Sequence, residues 1–148
     1  MSANPDFRDL FAAFNAAQVR YLLVGGYALA FHGRPRFTKD LDVWLEPGVQ
    51  NAARAYAALG AFGAPLNQLN VNDLERPGLI FQIGLAPNRI DVLTAIDGVT
   101  FENAWPDRQE TRYSDQLVPV ISRKHLIVNK RSTGRPQDVL DADELEKG

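Results

Sequence analysis

The sequence predicts an α/β (α+β) fold in which helices flank a mixed central β-sheet. Three observations lead there. Short apolar runs of strand length alternate with segments of helical spacing. Two adjacent strand-like runs flank an Ala86-Pro87-Asn88 connection, so part of the sheet is a hairpin. The 148 residues fit a single ordinary domain, 1–148, and leave no room for a second.

Each element carries its own signal. Asn4-Pro5-Asp6 is a capping residue with proline just inside a helix, and Phe7, Leu10, Phe11 and Phe14 continue at helical spacing. Tyr21-Leu22-Leu23-Val24 is a continuous apolar run stopped by Gly25-Gly26, as in a buried strand entering a tight turn. Ala28, Leu29 and Phe31 suggest a short helix, ended by Gly33 and Pro35. Leu41–Leu45 alternates as a second strand closed by Pro47-Gly48, and alanine-rich 49–59 is the next helix. Residues 60–78 have the weakest pattern and read as a long connection. Residues 79–85 and 89–94 form the hairpin. Residues 116–121 read as a short edge strand, because Pro119 has no N–H for a ladder. Ser122 caps a helix to about Thr133, Gly134 and Pro136 end it, and a last helix follows, so 122–148 are short C-terminal helices.

Composition narrows the chemistry. Apolar residues are 45% and charged residues 23%, the usual balance for a globular domain. Cysteine is absent, which excludes a disulfide framework, a thiolate zinc site and a cysteine nucleophile. No apolar run approaches the roughly 20 residues that span a bilayer and no signal-peptide pattern opens the chain, so the expected address is cytoplasmic, without a membrane partner. Sixteen basic and eighteen acidic residues give a net charge of −2, which argues against general polyanion binding. The charge is uneven: 123–135 holds five basic residues and no acid, whereas 137–148 holds five acids against Lys147.

The sharpest motif is Asp40-Leu41-Asp42-Val43-Trp44-Leu45. On a strand, Leu41, Val43 and Leu45 share one face, and Asp40, Asp42 and Trp44 share the other. Two carboxylates two residues apart stand roughly 6.5–7 Å apart at the backbone. Their oxygens can converge on one hard cation or on two about 3.5–4 Å apart. Taken alone, the same pattern also describes a solvent face. Asp91 in Arg89-Ile90-Asp91-Val92-Leu93 strengthens the functional reading, since an acid among apolar strand residues is costly when buried and unpaired. Gly25-Gly26, between a strand and a helix, is either a bare turn or one that lets a ligand approach the backbone and offers N–H groups to a phosphate. His32 and His125 share no metal-ligand spacing and read as surface or core residues. Trp44 reads as packing, with stacking on a base as the alternative. Arg34, Arg36 and Lys39 either guide a polyanion towards Asp40 or form a solvated loop.

Val24-Gly25-Gly26-Tyr27-Ala28-Leu29, followed by Arg36-Phe37-Thr38-Lys39-Asp40-Leu41-Asp42-Val43, resembles the core of the DNA polymerase β-like nucleotidyltransferase superfamily. The likeness extends through Arg89-Ile90-Asp91-Val92-Leu93-Thr94, 101–105, and Lys130 to Asp138. It is nearest to the small bacterial branch with AbiEii-type and MenT-type toxins. The resemblance implies a minimal nucleotidyltransferase fold and an enzyme moving NMP from an NTP to an acceptor hydroxyl, releasing pyrophosphate. It implies that Asp40, Asp42 and Asp91 hold Mg²⁺, two ions in all, with Asp91 also helping to activate the acceptor. It places Gly25 and Gly26 against the triphosphate, Lys130 on phosphate and Asp138 near the nucleotide. Thr38 bonds either the backbone or a phosphate. So short a chain has little acceptor domain. The acceptor is therefore gripped by 60–78 or a second subunit, or is an RNA or partner protein met by the basic 123–135 helix, beside the small-molecule option. The implied partners are a nucleoside triphosphate, an unidentified acceptor, and a homodimer mate or an antitoxin. The contrasting reading is a non-catalytic nucleotide-binding module, or one half of a toxin–antitoxin pair.

Overall fold

In the computed structural model, which describes residues 3–34, 40–85 and 88–148, the chain begins at a side-chain cap. The Asn4 oxygen accepts from the backbone N–H groups of Asp6 and Phe7 at 2.8 and 3.3 Å, satisfying donors that the first helical turn leaves unpaired. With Pro5 at the first helical position this starts α1 (Pro5–Ala16), which buries Phe7, Leu10, Phe11 and Phe14. The chain continues through β1 (Tyr21–Val24), α2 (Gly25–Phe31), β2 (Leu41–Leu45), α3 (Val49–Phe62), β3 (Ile80–Ile83), β4 (Ile90–Leu93), α4 (Phe101–Ala104), β5 (Gln109–Tyr113), β6 (Gln116–Val120), α5 (Arg123–Thr133) and α6 (Pro136–Lys147). The six strands form one mixed sheet in the order β3-β4-β2-β1-β6-β5.

The central strands β1 and β2 are antiparallel, and β4 joins β2 in parallel. Leu41, Val43 and Leu45 are buried on one face, and Trp44 is buried on the other against Phe101, edge-on at 5.0 Å. Asn51 pins the start of α3 to the ends of β1 and β2. Its amide donates to the carbonyls of Arg20 and Glu46 at 2.9 Å each and accepts from Arg20 N–H at 2.8 Å. A buried amide with its partners satisfied in this way fixes orientation at little cost.

Two expectations change. The 116–121 strand is not an edge: β6 lies between β1 and β5. Pro119 is tolerated because the β1–β6 pairing is confined to Leu23 opposite Val120, past the proline. The 60–78 stretch is not an open connection. It contains the end of α3 and a 3-10 turn (Val71–Glu75) with an Asn70–Asp73 capping box, and it buries Leu69 and Leu74. Two short elements, α4 and the exposed edge strand β5, carry no strong sequence signal.

Candidate active site

Parallel pairing of β2 with β4 puts Asp42 directly opposite Asp91, on strands about 4.8 Å apart. On the other side of β2, Val24 stands opposite Asp42, so Gly25 follows immediately beside it. Gly25 has φ +67°, and a Cβ there would lie 2.2 Å from Asp42 Oδ2. Glycine is therefore required at this position twice over, by backbone conformation and by the carboxylate packed against it. Gly26 is the partly buried second residue of α2.

Asp40, just before β2, is tied to the start of β4. Its Oδ1 accepts from the Arg89 backbone N–H at 3.0 Å, and its Oδ2 lies 3.5 Å from Arg89 Nη2. The same guanidinium grips Asp91, with Nε 2.8 Å from Oδ1 and Nη2 3.2 Å from Oδ2. All three expected carboxylates are thus brought together, with an arginine between two of them. Burial, then the Asp91 charge, push the Asp42 carboxyl up to about 7, against an opposing pull from Lys130. An Asp42–Asp91 hydrogen bond adds to the rise.

The donor chemistry fits Mg²⁺: three hard carboxylates on neighbouring strands, two of them half-buried opposite one another. As they stand, no group of three acidic or histidine side chains among the described residues is drawn around one point. Asp40 and Asp91 are turned onto Arg89.

Across the cavity, α5 presents Lys130, whose Nζ is 3.3 Å from Asp138 Oδ1. Asp138, buried in the first turn of α6, also accepts from Thr133 Oγ1 at 2.7 Å and Arg135 Nε at 2.8 Å. Burial alone would raise this carboxyl, but the Thr133 hydroxyl and the Lys130 charge outweigh it and hold it below its ordinary value. A cavity of about 400 Å³ lies between these groups, lined by Gly25, Asp42, Lys130, Thr133, Arg135 and Asp138 among others. Its wall includes Asp97 and Asn129, joined by a 3.0 Å bond from Asn129 Nδ2 to the Asp97 carbonyl. Gly98 permits that close packing: at φ +79°, a Cβ would come within 2.0 Å of Ser132 Oγ.

Other sequence expectations fare differently. Thr38, with Arg36 and Lys39, lies outside the described residues. Arg34 pairs with Glu144 at 3.3 Å, on α6. The basic helix is largely engaged within the chain. Arg123 donates to the Leu145 carbonyl, and Arg131 pairs with Asp143 and Glu146 at 2.9 Å each. His125 bonds Ser122 at the helix start and His32 bonds the Ile121 carbonyl, so both are structural. Trp44 is 1% exposed and packs in the core. Arg89, Thr133, Arg135, Asp97 and Asn129 are site residues that the sequence reading missed. Arg89 had a usable signal: two residues before Asp91, it shares that strand's face.

Solved structures with a similar fold exist. The lincosamide antibiotic adenylyltransferase LnuA, bound to lincomycin, matches with a TM-score of 0.59 at 16% identity, covering 98% of this chain and 97% of that one. The chain has a nucleotidyltransferase fold. ANT(2'')-Ia in complex with adenylyl-2''-tobramycin gives 0.59 at 15% identity, covering 95% of this chain and 91% of that one. A nucleotidyltransferase-class protein of Thermotoga maritima gives 0.60 at 12%, covering 95% and 88%. No family model and no curated protein matches the sequence.

Proposed function

We propose that the protein is a Mg²⁺-dependent nucleotidyltransferase that moves NMP from an NTP to an acceptor hydroxyl and releases pyrophosphate. The observation that carries this reading is Asp42 opposite Asp91 on parallel strands, with Asp40 bound to the start of the same β4 and Lys130 lining the adjoining cavity. Asp40, Asp42 and Asp91 are the residues to hold Mg²⁺, which when bound neutralises the triphosphate and the charge that develops in displacement.

The remaining work falls to the chain. Lys130, fixed by Asp138, offers its ammonium to the phosphates and to the departing pyrophosphate. Asp138 has its oxygens occupied by three donors, so its part is to position Lys130 rather than to touch nucleotide itself. Gly25, and Gly26 after it, let the triphosphate approach the backbone at the start of α2. The acceptor oxygen bonds to the α-phosphorus as the bond to the bridging oxygen breaks, and the hydroxyl proton passes to the Asp91 carboxylate.

A second cavity, of about 580 Å³, adjoins the first through Ala95 and Ile96 and is walled by Trp44, Pro47, Val99 and Phe101. It gives room for a small acceptor, as lincomycin and adenylyl-2''-tobramycin occupy the two antibiotic-modifying neighbours. With Arg123, Lys130 and Arg131 engaged inside the chain, a small hydroxylated acceptor is favoured over RNA or a partner protein. A toxin-like role, as in the AbiEii and MenT branch, is the reading that an RNA or protein acceptor would restore.

Each α-labelled NTP, incubated with Mg²⁺ and fractionated cell extract, tests the proposal. Label transfer by the wild type that Asp42→Asn abolishes supports it. Nucleotide binding without transfer to any fraction makes the protein a binding module instead.

A further inference from the structure

We propose that Arg89 is an internal counterion: it holds the carboxylates in the metal-free site and is exchanged for the divalent cation when that binds. The inference rests on the nucleotidyltransferase reading above and adds a residue to it. Arg89 takes both oxygens of Asp91 through its guanidinium fork, at 2.8 and 3.2 Å. It also engages both oxygens of Asp40, one through its backbone N–H at 3.0 Å and one through Nη2 at 3.5 Å. A hard divalent cation needs those same oxygens, so the guanidinium and the cation compete for one set of acceptors.

Exposure decides which partner can yield. The Arg89 side chain is 32% exposed and that of Asp91 13%, so the arginine can turn into solvent while the aspartate stays on its strand. Asp42 lines the cavity, while Asp40 and Asp91 are held under Arg89, so opening all three to one cation requires the arginine to leave. Arg89 then acts as a positioning residue, keeping like charges together until the metal arrives. The alternative is a fixed role, in which Arg89 stays on Asp91 and orients it as a ligand.

The two roles predict opposite signs. Mn²⁺ binding to the intact chain is measured by calorimetry at fixed pH and salt, alongside melting curves with and without Mn²⁺. Under exchange, Arg89→Ala binds Mn²⁺ at least about tenfold more tightly than wild type, since no cation has to be displaced, a difference of about 1.4 kcal/mol. Arg89→Lys, which keeps the charge but loses the fork, falls between them. The metal-free Arg89→Ala protein melts below wild type, and saturating Mn²⁺ closes the gap. Arg89→Gln replaces it should the alanine variant not fold. Equal or weaker Mn²⁺ affinity in the folded variant overturns the counterion role and leaves the nucleotidyltransferase reading standing. Absence of Mn²⁺ binding in wild type and variants alike overturns both.

Discussion

The site's two walls carry charge in opposite ways. Along β2 and β4, acids are stacked beside acids: Asp42 faces Asp91, Asp40 joins at the strand start, and Arg89 is the cation in contact with two of them. Between α5 and α6, unlike charges are paired. Lys130 and Arg135 meet Asp138, and Arg131 meets Asp143 and Glu146. The first arrangement stores like-charge repulsion at a cavity, and the second relieves it. A wall where acids face acids is suited to receive a cation, whereas a satisfied wall is suited to hold one side chain still. The basic helix, which on sequence alone was one of several candidates to meet an RNA or protein acceptor, is largely partnered by the acidic segment that follows it.

The largest expected effect separates function from stability at one residue. Asp42→Asn should lower nucleotidyl transfer by at least about 10²–10³-fold, as loss of one preorganised electrostatic group at a reacting centre does. The same change should stabilise the metal-free fold at pH 8. Asp42 titrates near 7 in the folded chain against an ordinary value of 3.8, so the folded state holds a proton that the unfolded state gives up. That contribution is fully present below about pH 4 and is lost as pH rises through about 7. Wild-type stability in metal-free buffer should fall over that window by an amount on the order of 2–4 kcal/mol, and Asp42→Asn should flatten the slope in urea melts. A variant less stable than wild type at pH 8 would break the comparison.

On the satisfied wall the sign reverses. Asp138→Ala strands Lys130 and Thr133 together and should cost about 3–5 kcal/mol, seen as a lower denaturation midpoint, with transfer falling because Lys130 is no longer held. Gly25→Ala should lose both fold stability, by about 1–3 kcal/mol, and transfer, because its methyl group would displace the Asp42 carboxylate. The smallest effect belongs to Arg131→Ala. Despite two ion pairs, all three side chains are more than a third exposed, so thermal melts should show only a slight loss, shrinking with salt.

Much of this site was legible in the sequence where burial and period agree. Strand alternation put Asp40, Asp42 and Trp44 on one face, and the apolar flanks of Asp91 marked a second strand; adjacency of the two then followed from the sheet. The edge strand β5 was not legible, because its side chains Gln109, Glu110 and Arg112 are exposed and give no apolar alternation. Pro119 misled for a different reason. A missing N–H excludes a ladder bond at one residue, but the β1 contact lies past it at Val120. Arg89 could be placed on a face from its spacing, yet its grip on Asp40 depends on the β2–β4 register, which is a tertiary fact. Residues 60–78 hid their packing because Leu69 and Leu74 are isolated apolar positions among polar ones.

The central claim is that the three carboxylates form one cation-dependent nucleotide site. The most direct measurement is anomalous diffraction from crystals grown with Mn²⁺ and a non-hydrolysable nucleoside triphosphate. The account predicts Mn²⁺ density in contact with the Asp40, Asp42 and Asp91 carboxylates, with the triphosphate extending towards Lys130. Nucleotide bound elsewhere, or Mn²⁺ away from all three aspartates, would contradict it.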